Sequence, residues 1–249
     1  MEDTKQQLEV KIQILEDQLA QAQKLTALGE LLGTTTHEFN NILMTILNYA
    51  KLGLRHKDEE TRDKAFDKIL GAANRAGKIT NSILAIAKNR KKQFEPIDLT
   101  LLIEDALVLL EREMNKYRIS VEKEFQPIPE ILADGNQVLQ ILLNLLINAR
   151  QAMPSGGRLI LKLGYDEAAR MVDCTIRDFG TGIPKEKLAR IFDPYFTTKD
   201  GPDESGKGGT GLGLAMCKKS IEAHHGKIRV ESTVGKGTAF TLRFPIYQK

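Results

Sequence analysis

Cysteine is scarce in this sequence. It occurs twice, at Cys174 and Cys217, with no metal-ligand spacing between the two. A disulfide framework and a zinc site are therefore excluded as organising devices, and a reducing compartment fits. Long hydrophobic runs are missing too: none approaches the roughly 18–20 residues that a membrane span needs. The N-terminus is charged and polar, so no signal peptide is expected. Neither sign of charge is in large excess. A net charge of +3 is too small to indicate nucleic acid, and no basic stripe is interleaved with aromatics. Internal repeats are absent. What remains is 249 residues with 41% hydrophobic and 28% charged side chains, the composition of an ordinary folded protein with one large or two small domains. A cytoplasmic location is expected, with tethering to a membrane by a preceding region left open.

The N-terminal third reads as helix. Leu8, Ile12, Leu15, Leu19 and Ala22 recur at alternating spacings of four and three with polar residues between them, which predicts a coiled-coil linker over 1–27. A second seam follows, about one residue out of phase: Leu28, Leu32, Thr35, Phe39, Ile42, Ile46 and Tyr49. A register adjustment is expected near Thr26–Gly29, where Gly29 and Gly33 each weaken the helix by up to about 1 kcal/mol. The helix should end near Arg55-His56-Lys57, and a second helix should run from about Thr61 to Lys91 with a stripe of Phe66, Ile69, Leu70, Ala73, Ala76, Ile79, Ile83, Leu84 and Ile86. Two long helices with a short link make an antiparallel hairpin. One hairpin has little core of its own, so two chains forming a four-helix bundle is the economical solution. The basic run Lys88–Gln93 and Phe94-Glu95-Pro96 close this unit, over 28–93, and Pro96 is expected to act as a hinge.

From 97 to 249 helices and strands alternate. Helices are predicted at Leu99–Lys116, Gly135–Ala152, Lys185–Ile191 and Leu212–His224. Strands are predicted at Ile119–Phe125, Ile131–Ala133, Arg158–Gly164, Met171–Arg177, Lys227–Glu231 and Gly237–Phe244. The fold class is thus multidomain, α followed by α+β, with helices on one face of a mixed sheet.

Four stretches carry chemistry. His37-Glu38-Phe39-Asn40-Asn41 lies on the first helix, with His37 off the apolar seam. An ordinary imidazole titrates near about 6.5 and is mostly a neutral nucleophile at pH 7. Glu38 could fix its tautomer, and Asn41, one turn on, shares its face. Asn144 and Asn148 lie one turn apart on a helix that is otherwise apolar nearly all round. Buried amides must be paired, so they either bond neighbouring backbone or form a polar row towards a ligand or metal-bound phosphates. Asp178-Phe179-Gly180-Thr181-Gly182 follows a strand and is either a tight turn or a close backbone approach to a ligand, with a carboxylate suited to an exocyclic amine. Gly209-Thr210-Gly211-Leu212-Gly213-Leu214 precedes a helix, where exposed backbone N–H groups favour phosphate. It is not a Walker loop, since no Gly-Lys-Ser/Thr follows, nor a Rossmann turn, since no strand precedes it. The loop before it carries Lys199 and Lys207, either solvated or phosphate contacts, and Phe192, Tyr195 and Phe196, read as anchors of that loop.

Taken in order, His37-Glu38-x-x-Asn41, Asn144…Asn148, Asp178-x-Gly180-x-Gly182, Phe192…Phe196 and Gly209-x-Gly211-x-Gly213 resemble a sensor histidine kinase core over residues 25–249. The resemblance implies a dimerisation and phosphotransfer hairpin followed by an α/β sandwich of the GHKL, or Bergerat, ATP-binding type. It implies that His37 accepts the γ-phosphate of ATP, oriented and deprotonated by Glu38, and that Asn148 holds Mg2+ with Asn144 beside it. Asp178 would bind the adenine amine, with Gly180, Gly182, Ile183 and Thr238 lining the base. Phe196, Lys199, Gly209, Thr210, Gly211, Leu212, Gly213 and Leu214 would belong to the nucleotide site and a mobile loop over it. The expected partners are a second copy of the chain and the receiver domain of a response regulator, with an upstream sensor region outside this chain. Asn41 would also let the protein dephosphorylate its regulator. Many members carry a Lys three residues after the second Asn; here Gln151 stands there with Arg150 before it, and either is a candidate phosphate contact. The Glu38-x-x-Asn41 form looks similar to nitrogen-regulation-type kinases. Two rivals are an ATPase of the same superfamily and a non-catalytic dimeric nucleotide-binding scaffold. The ATPases use a general-base Glu on the Asn helix, whereas no Glu lies between Leu139 and Arg150.

Overall fold

The computed structural model of the protein describes residues 11, 39–87, 93–197 and 211–248. His37, Glu38, Lys199, Lys207, Gly209, Thr210 and the basic run at 88–92 lie outside them, as does the predicted coiled coil apart from Lys11, which is helical and exposed. Helix α1, described over 39–55, is followed by a three-residue link and α2, Glu59–Ala87. Asp58 caps the start of α2 by accepting from the Thr61 N–H at 2.9 Å, so the helix begins two residues earlier than the sequence suggests. Of the expected seam, Ile42 is buried, and Phe39 and Ile46 pack against the apolar cluster that also holds Ile79. A second apolar face stays outside: Leu43, Met44, Leu47 and Leu54 on α1, and Phe66 and Leu70 on α2, are exposed.

After the hairpin come two strand–Asp–helix units. β1, Glu95–Ile97, leads through Asp98 into α3, Leu99–Lys116. After β2, Ile119–Phe125, the pattern repeats: β3, Ile131–Ala133, leads through Asp134 into α4, Gly135–Ala152. Each Asp turns its carboxylate onto the first free N–H groups of its helix, Asp98 onto Thr100 and Leu101, Asp134 onto Asn136 and Gln137, which fixes where both helices start. β1 and β3 pair antiparallel, with Pro96 opposite Leu132. This corrects the expected hinge. Pro96 is held in a strand of the second unit, and a proline is tolerated there because β1 is an edge strand that pairs with β3 on one side.

β4 (Gly157–Asp166), β5 (Met171–Asp178), the one-turn α5 (Lys185–Leu188), α6 (Gly213–Ala223), β6 (Lys227–Thr233) and β7 (Gly237–Pro245) complete the fold. The five-stranded sheet runs β2-β4-β5-β7-β6, parallel only between β2 and β4. Residues along β5 alternate between half-buried and buried, and the buried set of Val172, Cys174 and Ile176 joins one core with Leu99, Ile103 and Leu110 of α3 and Leu142, Leu145 and Leu146 of α4. That spacing on α3, together with the nearly all-round burial of α4, makes α4 the central element of the helix layer. α5 is shorter than predicted, because residues after Leu188 continue as turns that bury Ile191. Among the described residues no helix is long and apolar enough to cross a membrane.

Candidate active site

The site lies where the C-terminal end of β5, the second half of α4, the start of α6 and the β6–β7 hairpin meet. Asp178 is the last residue of β5 and is buried. Its Oδ1 accepts from the N–H of Gly180 at 2.9 Å and of Thr238 at 3.2 Å. Among the described residues nothing donates to Oδ2. Burial raises the Asp178 carboxyl above the ordinary carboxylate value, against the pull of those two backbone donors. A buried acceptor with a spare oxygen, held in place through its other oxygen, suits a ligand that brings its own N–H.

The backbone beside it is shaped for close approach. Gly182 has φ +70°, and a Cβ there would stand 2.2 Å from the Thr233 carbonyl oxygen. The turn is tied to α4 by the Thr181 N–H donating to the Ala152 carbonyl, and to the hairpin by the Gly235 N–H donating to the Thr181 carbonyl. Ile183 adds a third tie, its N–H donating to Ser232 Oγ at 2.8 Å. Ser232 Oγ donates in turn to the Gly237 carbonyl at 3.0 Å and lies 2.9 Å from Thr238 Oγ1. One hydroxyl thus joins the glycine turn, the hairpin and buried Thr238. Ser232 escapes a reading of sequence because Lys227–Thr233 alternates like any surface strand. The signal was the β6–β7 register, which sets Ser232 opposite Thr238.

Asn144 and Asn148 are both half-buried on one face of α4. The Asn144 amide donates to Cys217 Sγ of α6 at 3.7 Å, while Asn148 makes no side-chain hydrogen bond among the described residues. Among the described residues neither amide hydrogen-bonds neighbouring backbone. Cys217 is buried, and burial pushes its thiol up to about 12, which leaves it unreactive. Gly211 has φ +69° and approaches the Tyr195 backbone so closely that a Cβ would meet it at 2.4 Å. Leu212 caps α6, Gly213 opens it beside Asn144, and Leu214 packs against the core.

Two assignments are corrected. Arg150 is turned away from the asparagines: its Nε lies 3.8 Å from Glu113 Oε2, and its guanidinium stacks 4.9 Å over the Tyr117 ring. On a helix it stands about 200° from Asn148, so it clamps α4 to α3. Gln151, three residues past Asn148, keeps the asparagine face. Tyr195 is not an anchor, being exposed with φ +64°. Phe192 and Phe196 do pack against the core, Phe196 under the Arg190 guanidinium at 4.7 Å. Asn41 is exposed on α1.

The arrangement fits a purine nucleotide: a buried acceptor at Asp178 next to Thr238 and close to Ile183, and two amides with a helix N-terminus where phosphates would sit. It also fits Mg2+ held chiefly by phosphates and water, since the Asn148 amide is a hard oxygen donor and no group of three His, Cys, Asp or Glu side chains that could hold a metal occurs among the described residues.

Comparison with known proteins gives two family matches. Residues 27–92 match the His Kinase A (phospho-acceptor) domain, and residues 133–248 match the histidine kinase-, DNA gyrase B- and HSP90-like ATPase. The sensor kinase CckA of Brucella abortus (strain 2308) is 38% identical over 93% of this chain and 25% of its own length. The solved catalytic domain of the histidine kinase ThkA aligns with 61% of this chain and 95% of its own, at 32% identity and a TM-score of 0.54. A structure of ThkA with the response regulator protein TrrA aligns over 91% of this chain and 64% of that one, at 28% identity and a TM-score of 0.53. The chain spans between a quarter and about half the length of the curated relatives it matches.

Proposed function

Since the chain belongs to the sensor histidine kinases of two-component systems, we propose that it is an ATP-dependent autokinase that phosphorylates His37 and passes the phosphoryl group to an aspartate of a response regulator. The observation that carries this reading is the buried Asp178 carboxylate, fixed through one oxygen by Gly180 and Thr238 at a glycine turn that is tied to α4, the helix of Asn144 and Asn148. Asp178 recognises the adenine amine, and Gly182, Ile183 and Thr238 enclose the base. Asn144 and Asn148 meet the phosphates, with Asn148 the protein's ligand to Mg2+, whose charge offsets that of the phosphates. Gln151 and the Gly211–Leu214 start of α6 complete the phosphate end, with Lys199, Gly209 and Thr210 from the preceding loop.

At the other unit a ring nitrogen of His37 attacks the γ-phosphorus. An N–P bond forms, the bond to the β,γ-bridging oxygen breaks, ADP leaves with the electron pair, and Glu38 takes the ring proton. Such transfer asks little covalent chemistry of the protein; position and charge neutralisation do most of it. The phosphoryl group then moves from His37 to a receiver carboxylate, and in the opposing reaction Asn41 orients water to attack that aspartyl phosphate, releasing inorganic phosphate and the free carboxylate. The exposed apolar face of the hairpin is covered by a second copy of the chain.

Incubation with γ-labelled ATP tests the reading. Acid-labile, base-stable label on the protein is expected, and it should vanish in His37→Ala. Released phosphate without protein label would identify an ATPase instead. The Asn41→Ala chain should still label itself but fail to dephosphorylate the regulator.

A further inference from the structure

α4 and α6 lie side by side in opposite directions. Gly213, at the start of α6, sits beside Asn144, and Cys217 meets both Asn144 and the Ile141 carbonyl. At the far end of the pair stands His224, buried at 1% exposure. Its Nε2 accepts from the Asp134 N–H at 3.0 Å, and Nδ1 donates to the Ser220 carbonyl at 2.7 Å. A backbone N–H only donates and a carbonyl only accepts, so these two bonds define a neutral ring with its proton on Nδ1. One side chain therefore closes the C-terminus of α6 and grips the residue that caps α4. A third element completes the cluster: the Phe94 ring lies 4.9 Å from the His224 ring, and Phe244 meets it edge-on at 6.3 Å. Phe94 is 40% exposed and covers the imidazole from outside. It immediately precedes β1, whose Glu95 pairs with Ala133, the residue before Asp134.

We infer that His224 is a positioning residue that couples the segment joining the hairpin to the nucleotide unit with the two helices that hold the nucleotide. The joining segment touches one end of the α4–α6 pair through Phe94, and the phosphate-binding groups occupy the other end. Lifting Phe94 exposes the imidazole, lets water compete for Nε2, and frees the caps of both helices together. The position of the joining segment is thereby read out as the alignment of Asn144, Asn148 and Gly213. This rests on the autokinase reading and adds a route by which the helical unit controls the use of a nucleotide already bound.

A double-mutant cycle on the full chain tests it, with single-turnover labelling by γ-labelled ATP, affinity for a fluorescent ATP analogue, and thermal melting as readouts. Phe94→Ala removes an outer, half-exposed ring and leaves the core intact. It should slow labelling of saturated enzyme by at least about five-fold while analogue affinity stays nearly constant. His224→Phe keeps an aromatic ring but removes both hydrogen bonds, and should slow labelling at least as much. In the His224→Phe background, Phe94→Ala should add no further slowing. Effects that multiply independently, or a Phe94→Ala chain that labels at the wild-type rate, overturn the coupling. So does slowing that is matched by loss of analogue affinity. A wild-type chain that never labels overturns the autokinase reading itself, and is distinguished because no variant is needed to see it.

Discussion

At the scale of single residues, Asp178 shows how recognition is set against stability. Its folded-state pKa is raised, chiefly by burial. A raised carboxyl contributes most favourably below the ordinary unfolded value of about 3.9, and that contribution is lost as pH rises through the folded value. At neutral pH the fold therefore carries an ionised group it would prefer protonated. Asp178→Asn keeps the shape and an acceptor for Gly180 and Thr238 but removes the charge. It should melt slightly higher than the wild type at pH 7, with the difference shrinking as pH falls into the carboxylate range. On the proposed role of Asp178 the same change also removes a charged hydrogen bond to the base, which contributes roughly 1.5–3 kcal/mol, so ATP-analogue affinity should fall roughly 10- to 150-fold. Calorimetry at two pH values measures both. If binding and melting fall together, Asp178 is a structural residue and not the base-recognition group.

At the scale of elements, the ends of α3, β2, β3 and α4 were legible because local chemistry sets them. Asp98 and Asp134 cap their helices, and apolar spacing fills them. The face of an element was harder to read than its extent. Arg150 sits next to two site residues in sequence, yet the helix turns it onto Glu113 and Tyr117. Ser232 and Phe94 also reach partners 49 and 130 residues away in sequence, at Ile183 and His224. Pairing of that kind leaves no trace in local periodicity. Among the α2 stripe residues whose side chains are described, Ile79 is buried and Ala76 packs against the core, whereas Phe66 and Leu70 face outward. Phe66 is 57% and Leu70 61% exposed, and large apolar side chains each gain about 1.5–3 kcal/mol when covered. Phe66→Glu with Leu70→Glu should convert a dimer to a monomer in sedimentation while leaving nucleotide affinity unchanged. A variant that remains dimeric would place the dimer contact elsewhere.

At the scale of the whole molecule, Arg75 of α2 pairs with Glu111 of α3 at 3.0 Å with both side chains well exposed, while Ile42 and Ile79 of the hairpin join the same buried cluster as Leu99 and Ile103 of α3. Exposed pairs of this kind contribute about 0–1 kcal/mol, less than the roughly 1.5–3 kcal/mol of a buried apolar side chain such as Ile79. The elements that meet at the candidate site all lie from β1 onward, and β1, whose Pro96 was expected as a hinge, is fastened to β3 inside that unit. The catalytic domain of ThkA, to which this part of the chain is similar, was solved as a separate chain. Residues 93–249 alone should therefore fold and bind an ATP analogue within about two-fold of the full chain's affinity, as expected for distant, independent parts. They lack His37 and should not label themselves. Supplied with a separate hairpin of residues 27–92, they should label it slowly, because the encounter has become bimolecular. Loss of nucleotide binding in the fragment would mean that the hairpin completes the site. Self-labelling of the fragment would mean that the phosphoacceptor is not His37.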